Sequence, residues 1–454
     1  MRRMTDRTAA RRRYLLPVWF LLLVALADAV IFNLCYVAAF YLRFLGPPPG
    51  YNFVAYLLVA PWITVGLWFL FQTYGLYSPQ HRARQEVLPA VLSALLLDGL
   101  LAVALSFALG GFSFPRSVFL IVGLLQLPAL GAWHRLVWQW SQGMLGQRRI
   151  VVVGSAAEGA ELAAKLSEHS AALVPVATAD APPAPDAPED AWSGWLAAHP
   201  GDAYLLAPSL PGETKVALAT RCSLREVPVL LVPDLYDILL FGAHLNQVDD
   251  LPVLEVRTGL PDGARFLKRS IDLVFAAVGL VVTAPLLALV ALGVKLSSPG
   301  PVLYRQERVG EQGRRFVLYK FRTMRADAEQ LSGPTLAVSG DPRITPLGRV
   351  LRLSHLDELP QLYNILVGEM SLVGPRPERP FFVEQFARSV PNYAERLKLR
   401  AGLTGLAQVS GKYTTDPKDK LRYDLLYARA YSPLQDLRIL LHTVRSLFQR
   451  GRAL

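Results

Sequence analysis

The chain has 454 residues, of which 52% are hydrophobic and only 18% charged, and its mean hydropathy is +0.30. This composition excludes an ordinary soluble protein and predicts membrane-spanning segments in a chain of about two to four domains. The formal net charge is +11, with 25 Lys and Arg against 15 Asp and Glu from residue 297 onward. This basic excess suits anionic lipid or an acidic substrate, and because no nucleic-acid motif accompanies it we predict no nucleic-acid partner. The two cysteines, Cys35 and Cys222, allow no disulfide framework or zinc spacing, which fits a reducing compartment.

Residues 1–145 are predicted to form a four-helix transmembrane domain. Each of four apolar runs is long enough to cross about 30 Å of hydrocarbon; they cover about residues 15–41, 53–71, 87–109 and 114–138. A signal peptide is the competing interpretation of the first run, but that run is too long and lacks a clear small-residue cleavage site. The flanking basic residues predict that both ends of the domain are cytoplasmic. Asp28 and Asp98 lie within the runs, where we expect a role in helix–helix packing rather than catalysis.

Residues 146–250 are predicted to form a Rossmann-like α/β domain, followed by a linker at 251–264. Strands and helices alternate here, as is typical of a parallel sheet. Gly154 and Gly159 occupy the first and third glycine positions of a dinucleotide fingerprint, but Ala156 stands at the second, where a pyrophosphate approaches the backbone. We therefore predict a degenerate, mainly structural or regulatory domain, with a working nucleotide site as the alternative.

Residues 265–454 are predicted to form an α-rich catalytic domain that begins with an apolar segment. Pro285 lies in the middle of this segment, where it bends or breaks a helix. Basic residues flank both sides: Lys268 and Arg269 before it and Lys295 after it. Equal positive flanks fit a re-entrant helix over 268–296 that turns at Pro285 and returns to the cytoplasmic side. A kinked spanning helix is the alternative.

An adjacent pair of carboxylates, Asp357 and Glu358, is the strongest candidate for chemistry. Pro360 suits the first position of a helix, so the pair lies near the positive end of that helix. Arg376 follows in a Gly-Pro-Arg-Pro loop and offers a planar fork for phosphate oxygens. Three further cations are candidates for the same phosphates: Arg352, Lys320 and Arg322. The pattern predicts a nucleophile or metal ligand facing a phosphate clamp, whereas Ser354-x-x-Asp357 is alternatively a helix-capping pattern.

Several sequence blocks in this region occur in a fixed order. They are Lys268-Arg269-x-x-Asp272, Ser298-Pro299-Gly300-Pro301-Val302, Arg305-Gln306-x-Arg308-Val309-Gly310, Tyr319-Lys320-Phe321-Arg322-Thr323-Met324, Asp341-Pro342-Arg343-Ile344-Thr345, the Asp357-Glu358 segment, and Gly402-Leu403-Thr404-Gly405-Leu406-Ala407-Gln408-Val409. Through them the stretch 265–412 resembles the monotopic phosphoglycosyl transferases, a bacterial sugar transferase family. The preceding domains resemble those of the long branch, which includes undecaprenyl-phosphate galactose phosphotransferases.

The resemblance implies transfer of a hexose 1-phosphate from a UDP-sugar to undecaprenyl phosphate with release of UMP, as the first step of exopolysaccharide, O-antigen or capsule synthesis. It implies that Asp357 forms a covalent sugar-phosphate intermediate, while Glu358 adjusts protonation or joins Asp357 in holding Mg²⁺. The phosphates would be bound by Arg376, Arg352, Lys320 and Arg322, and the polyprenyl phosphate and membrane would be contacted by Lys268, Arg269 and Pro285. The enzyme would span the bacterial inner membrane several times, with its catalytic domain on the cytoplasmic face, and the added domains would suit a homodimer.

Two other functions stay open on the sequence. A membrane-bound sugar-nucleotide dehydratase or oxidoreductase would use the Rossmann-like domain, but it would need an intact glycine fingerprint and a Tyr-x-x-x-Lys pair, which the sequence lacks. A non-catalytic scaffold for glycan assembly would use the acidic pair only as a helix cap. The transferred sugar cannot be read from the sequence, although galactose or glucose is expected for the long branch.

Overall fold

The computed structural model describes residues 16–78, 84–110, 114–144, 148–169, 173–179, 182–241, 243–248, 251–255, 259–324, 343–411 and 416–448. The chain forms two compact units, Met1–Pro233 and Asp234–Leu454. Most of the described residues are helical, and five helices are long and apolar enough to cross a membrane. Together with a small parallel sheet, these helices confirm the predicted class of a membrane protein that combines α-helical and α/β parts.

Four of the five long helices belong to the first unit. They are α1 (Val18–Phe44), α2 (Gly50–Thr73), α3 (Val87–Gly110) and α4 (Arg116–Met144). Each buries one stripe of side chains against its neighbours, whereas large apolar side chains such as Leu100, Leu120 and Leu124 are about two-thirds or more exposed. Exposed apolar surface on this scale is typical of helices whose outer faces meet lipid.

The two carboxylates within these helices have different surroundings. Asp28 is fully buried, with Oδ1 3.0 Å from Nε2 of His134 on α4, and its Oδ2 accepts a 2.8 Å hydrogen bond from the Tyr77 hydroxyl. Asp98 is equally buried, but neither of its oxygens has a hydrogen-bond partner among the described residues. It lies against Gly66, whose missing side chain leaves room for the carboxylate. The contacts of Asp28 thus agree with the predicted packing role.

We expect Asp28→Ala to destabilise the first unit much more than Asp98→Ala. The first change leaves the Tyr77 hydroxyl without its acceptor and removes the 3.0 Å contact between Asp28 and His134, at a cost of about 1–3 kcal/mol. The second removes two oxygens that already lack partners, which offsets much of the lost packing. Thermal unfolding of the detergent-solubilised protein, followed by tryptophan fluorescence, measures the difference. Equal losses in melting temperature would contradict the assignment of Asp28 as the helix-joining group.

The first unit also contains the predicted parallel α/β sheet. Its strands are β1 (Arg148–Val153), β2 (Leu173–Ala179), β3 (Ala203–Leu206) and β4 (Val229–Leu231), and its helices are α5 (Ala156–His169), α6 (Glu189–Ala198) and α7 (Gly212–Leu224). All strand pairs are parallel, and the spatial order is β2-β1-β3-β4. The central strand β1 is apolar and buried over residues 150–153 because helices cover both faces of a parallel sheet.

The second unit begins at Asp234, ahead of the predicted start of the catalytic domain at 265. It opens with α8 (Leu235–Leu240) and an antiparallel hairpin of β5 (His244–Val248) and β6 (Leu251–Glu255). Ile238 of α8 is fully buried in a cluster with Leu421, Leu425 and Tyr393, which lie much later in the chain. Residues assigned from the sequence to the end of the Rossmann-like domain and to a linker therefore form part of this unit.

The fifth long helix, α9 (Asp262–Ser297), runs without interruption through Pro285. In its first half, Ala276 is buried in the main core of the unit with Ile365. In its second half, Val290 and Val294 pack with Phe321 in a second cluster. Residues on both sides of Pro285 therefore contact the same unit, while the re-entrant path through a membrane stays a prediction.

The remaining strands and α-helices of the second unit follow α9, together with the 3₁₀ helix that contains the predicted acidic pair. In chain order they are β7 (Leu303–Val309), β8 (Arg315–Phe321), α10 (Pro346–Leu353), a 3₁₀ helix (Leu356–Glu358), α11 (Gln361–Val367), β9 (Met370–Val373), α12 (Pro380–Ser389), β10 (Ala401–Thr404), α13 (Leu406–Ser410), α14 (Pro417–Arg429) and α15 (Pro433–Ser446). Strands β7 and β8 form an antiparallel hairpin, and β9 pairs in parallel with β10. Asp272 ties α9 to this layer because its Oδ1 accepts a 2.9 Å hydrogen bond from the Leu372 amide.

Candidate active site

The acidic pair lies in a tight connection between α10 and α11. Helix α10 is capped by Thr345, whose hydroxyl accepts a 2.9 Å hydrogen bond from the Gly348 amide. Gly348 must lack a side chain, because a Cβ there would lie 2.1 Å from the carbonyl oxygen of Thr323. At the other end, the Ser354 hydroxyl donates to the Val350 carbonyl of α10. Ser354 therefore belongs to the end of α10, and the alternative in which it caps the next helix is not observed.

A left-handed residue turns the chain directly before the pair. His355 has a φ of 54°, a conformation that costs a non-glycine residue free energy. The 3₁₀ turn that follows presents Asp357 and Glu358, and Pro360 directly precedes the first residue of α11. The predicted order of acidic pair, proline and short apolar helix is thus confirmed, with α11 beginning one residue later than predicted.

The two carboxylates differ in ionisation. Asp357 is 6% exposed, and burial together with the neighbouring Glu358 charge raises its pKa to about 6. No described residue donates a hydrogen bond to its carboxylate. Burial alone would raise the pKa of Glu358 as well, but the charge and the 2.7 Å hydrogen bond of Arg376 hold that pKa below its usual value. Glu358 is therefore a fixed anion, while Asp357 is a less solvated carboxylate that ionises near neutral pH.

Three of the four predicted phosphate-binding cations surround this pair. The charges of Lys320, Arg352 and Arg376 all act on Asp357 and favour its ionised form. The Arg376 guanidinium is half exposed and reaches Glu358, and Arg352 is oriented by a 2.9 Å hydrogen bond from Nε to the Thr323 hydroxyl. Burial and the nearby Arg308 and Arg352 charges lower the pKa of Lys320 to about 8. The structure thus brings a carboxylate nucleophile candidate and three cations to one place.

Lys320 is held beside the pair by a residue that the sequence did not single out. Asn364 of α11 is fully buried, donates a 2.7 Å hydrogen bond to the Val317 carbonyl, and accepts one from the Tyr319 amide. These bonds fix α11 against β8, the strand that carries Lys320. An asparagine within an apolar helix gives no sequence signal for this contact, because the partner strand is distant along the chain.

The fourth predicted phosphate ligand, Arg322, has other partners. Its guanidinium donates 2.7 and 2.9 Å hydrogen bonds to the carbonyls of Ser298 and Pro299, and it is 6% exposed. It therefore fixes the turn that follows α9. By contrast Arg308, for which the sequence predicted no role, lies close enough to Arg376 and Lys320 for their charges to affect one another.

The residues predicted to contact polyprenyl phosphate are engaged within the protein. Lys268 is buried and donates a 2.7 Å hydrogen bond to Asp436 of α15. Arg269 donates hydrogen bonds to the Ile365 and Leu366 carbonyls at the end of α11. A cation at a helix C-terminus is favourable, so Arg269 joins the start of α9 to the helix that follows the acidic pair.

The donor set at the site fits a magnesium ion that is completed by substrate oxygens. Among the described residues, no group of three or more His, Cys, Asp or Glu side chains could hold a metal ion. Mg²⁺ is commonly bound by one or two carboxylates together with substrate phosphates. Asp357 and Glu358 meet that requirement, although one oxygen of Glu358 already accepts from Arg376. Of the Asp341-Pro342-Arg343-Ile344-Thr345 block, Asp341 and Pro342 lie outside the described residues.

The α/β sheet of the first unit lacks the features of a phosphate-binding turn. A Cβ on Gly154 would lie 2.5 Å from Cβ of Ala207, so this glycine serves close packing at the end of β1. Glu158 lies in the first turn of α5 and accepts a hydrogen bond from the Ser209 hydroxyl. A carboxylate at this helix N-terminus repels the phosphates that such a turn usually binds. These contacts favour the predicted structural role over a dinucleotide-dependent oxidoreductase.

Comparison with known proteins relates the second unit to one family. The family model described as "Bacterial sugar transferase" matches residues 263–450. The chain is 38% identical over 242 residues to the UDP-N-acetylgalactosamine-undecaprenyl-phosphate N-acetylgalactosaminephosphotransferase of Aeromonas hydrophila, covering 52% of this chain and 56% of that protein. It is 40% identical over 231 residues to the UDP-glucose:undecaprenyl-phosphate glucose-1-phosphate transferase of Escherichia coli K12, covering 50% of this chain and 48% of that protein.

A shorter relative is matched over almost its whole length. The exopolysaccharide production protein PSS of Rhizobium leguminosarum bv. phaseoli is 43% identical over 194 residues, which cover 41% of this chain and 97% of that protein. The chain spans about half the length of the two longer relatives. The similarity to PSS shows that about two-fifths of this chain corresponds to nearly all of a smaller protein.

Proposed function

The chain belongs to the bacterial sugar transferase family, and from that premise we propose that it transfers a hexose 1-phosphate from a UDP-sugar to undecaprenyl phosphate, releasing UMP. The observation that carries the proposal is the surroundings of Asp357. This buried carboxylate accepts no hydrogen bond from a described residue, ionises near pH 6, and is faced by three cations. The names of the relatives support the same substrate classes.

In the first half of the reaction, an Asp357 oxygen attacks the phosphorus that bears the sugar. The bond from this phosphorus to the bridging oxygen breaks, UMP leaves with that oxygen, and the sugar phosphate stays on Asp357 as an acyl phosphate. Arg376, Arg352 and Lys320 neutralise the diphosphate charge, which is the main catalytic task in phosphoryl transfer. Glu358 holds Arg376 in place before the substrate arrives.

In the second half, a phosphate oxygen of undecaprenyl phosphate attacks the same phosphorus. The acyl–oxygen–phosphorus linkage breaks at the phosphorus, Asp357 is regenerated, and a lipid-linked diphosphate sugar is formed. Mg²⁺ held by Asp357 and Glu358 would supply charge neutralisation at the phosphates. Lys268 and Arg269 support the site indirectly, because their contacts fix the start of α9 to α15 and α11.

The proposed setting is the bacterial inner membrane, with the second unit on the cytoplasmic face. UDP-sugars are cytosolic, and the positive flanks of the apolar runs favour this orientation. The re-entrant path over 268–296 is proposed from the basic residues that flank both ends of the apolar segment. It requires a bend at Pro285, through which α9 is helical. A homodimer stays part of the proposal without a residue assigned to it.

We expect the purified protein in nanodiscs to release UMP from at least one of UDP-glucose, UDP-galactose and UDP-N-acetylgalactosamine when Mg²⁺ and undecaprenyl phosphate are present. Undecaprenol, which lacks the phosphate, is the matched control and should give no lipid-linked product. A coupled UMP assay and chromatography of the lipid product measure both halves of the reaction. Absence of UMP with every sugar nucleotide, or lipid-linked product with undecaprenol, would contradict the proposed function.

A further inference from the structure

The loop that carries Arg376, residues 374–377, is held by hydrogen bonds at each of its four residues. Two of these bonds are to backbone groups: the Gly374 amide donates to Thr404 O at 2.8 Å, and Pro375 O accepts from the Gly402 amide at 2.9 Å. The other two are to arginine side chains: Arg376 O accepts from Arg396 Nη2 at 3.1 Å, and Pro377 O accepts from Arg308 Nη1 at 2.9 Å. Close backbone packing adds to this, since a Cβ on Gly402 would lie 2.1 Å from the Gly374 nitrogen. The loop is therefore fixed by backbone contacts on one side and by two arginine side chains on the other.

The prolines on either side of Arg376 restrict the backbone of the loop, so the orientation of the Arg376 carbonyl is the main conformational freedom that remains. Pro375 has a fixed φ, and Pro377 restricts the residue before it, Arg376, to extended conformations. The direction of the Arg376 side chain then depends on the orientation of the peptide group that follows it. That group is held by Arg396, whose guanidinium is buried and paired with Asp424.

Arg396 is itself fixed on all sides. It is 3% exposed, its Nε donates a 2.9 Å hydrogen bond to Oδ2 of Asp424, and its Nη2 lies 2.8 Å from the same oxygen. Its Nη1 donates to the Tyr393 hydroxyl. Asp424 is 1% exposed on α14, so the ion pair is closed to solvent. A buried arginine in a fixed geometry is well suited to hold a carbonyl, because its planar fork loses little freedom on binding.

We propose that Arg396 is a positioning residue, which, with Asp424 and Tyr393 behind it, orients the Arg376 guanidinium toward the diphosphate of the substrate. This role rests on the proposed function. It gives a function to the buried triad of Arg396, Asp424 and Tyr393, which is not among the groups that face Asp357. Arg396 acts through Arg376 and touches no reacting atom. A displacement of Arg376 by about 1 Å is enough to cost up to about 100-fold in a site of this kind.

The test combines steady-state kinetics with the equilibrium binding of UDP, which does not depend on catalysis. KM and kcat for UDP-glucose and UDP-galactose, and the Kd of UDP with Mg²⁺ by calorimetry, are measured for Arg396→Gln, Arg376→Ala and the double variant. We expect Arg396→Gln to raise KM and Kd by about tenfold or more, with a smaller change in kcat. Because Arg396 acts through Arg376, the same change in the Arg376→Ala background should have little further effect.

Leu218→Ala is the control for a loss of stability alone. Leu218 is fully buried on α7, in a core cluster that contains no residue of the triad or of the Arg376 loop. It should lower the melting temperature while leaving KM and Kd unchanged. If Arg396→Gln does not fold, Tyr393→Phe removes one support of Arg396 and keeps the ion pair, and it should raise Kd by a few-fold.

The proposal is overturned if folded Arg396→Gln, or Tyr393→Phe in its place, binds UDP as the parent protein does. It is also overturned if Arg396→Gln weakens binding by the same factor in the presence and absence of the Arg376 side chain. Failure of the proposed function gives a different result, namely a parent protein that releases no UMP from any sugar nucleotide. The UDP affinities then still decide whether Arg396 orients Arg376.

Discussion

The Asp357→Asn variant should release no measurable UMP, with a loss of kcat of about 10⁴-fold or more, the scale on which removal of a covalent nucleophile acts. An amide has nearly the size and shape of the carboxylate, so the fold is expected to survive, but its oxygen cannot form an acyl phosphate. The decisive measurement is the mass of the intact protein after incubation with a UDP-sugar in the absence of lipid acceptor. The parent protein should gain the mass of a hexose phosphate, and Asp357→Asn should not.

Glu358→Gln is the matched control for this prediction. It keeps Asp357 and changes the neighbouring carboxylate, which accepts a hydrogen bond from Arg376. We expect slower formation of the same adduct, because Arg376 is less well held and the charge beside Asp357 is lost. An adduct on Asp357→Asn, or equal UMP release by the parent and that variant, would remove Asp357 from the role of nucleophile.

The sequence was sufficient to predict the centre of this site because its parts lie close together in the chain. Asp357, Glu358 and Arg376 fall within one short stretch, and the proline and glycine residues around them restrict the backbone. Their convergence follows from local geometry. Lys320 comes from the hairpin that precedes this stretch. It was a predicted phosphate ligand because its sequence block resembles that of the family, and its distance along the chain from Asp357 gave no indication.

The roles of the other basic residues could not be read in the same way. Lys320 lies in β8 and Arg322 directly follows that strand, and the two look equivalent in the sequence. Arg322 nevertheless bonds to carbonyls after α9, whereas Lys320 faces Asp357. Lys268 is paired with Asp436, more than 150 residues away. Contacts between segments that are distant in the chain decide whether a basic side chain lies in solvent, beside a phosphate or beside a buried carboxylate. A local sequence pattern does not specify those contacts.

The same limitation applies to element boundaries. The proline in the apolar segment predicted a break, whereas α9 is continuous through Pro285. A proline removes one backbone hydrogen bond, and the helix is packed against the core on both sides of this residue, at Ala276 and at Val290 and Val294. Likewise α8 was assigned from the sequence to the Rossmann-like domain, but Ile238 is buried against Tyr393, Leu421 and Leu425, which lie much later in the chain.

A bell-shaped dependence of kcat/KM on pH, with limbs near pH 6 and pH 8, is the second large effect that we expect. Below its pKa of about 6, Asp357 is protonated and cannot attack phosphorus, so the rate should fall by about tenfold per pH unit. Above its pKa of about 8, Lys320 is neutral and no longer attracts the diphosphate. The rate of UMP release is measured from pH 5 to pH 10 at constant ionic strength and saturating Mg²⁺.

Lys320→Arg tests which group produces the alkaline limb. An arginine keeps its charge across this range, so the limb near pH 8 should disappear, and the next nearby cation to lose its proton would be Arg308, with a pKa of about 10. Lys320→Met should lower kcat/KM at pH 7 by about 10- to 100-fold, because a charge-assisted contact with phosphate is lost. The acidic limb belongs to Asp357 and should survive in both variants. An alkaline limb that stays near pH 8 in Lys320→Arg would assign it to another group, and Lys320 would then have no part in binding the diphosphate through its charge.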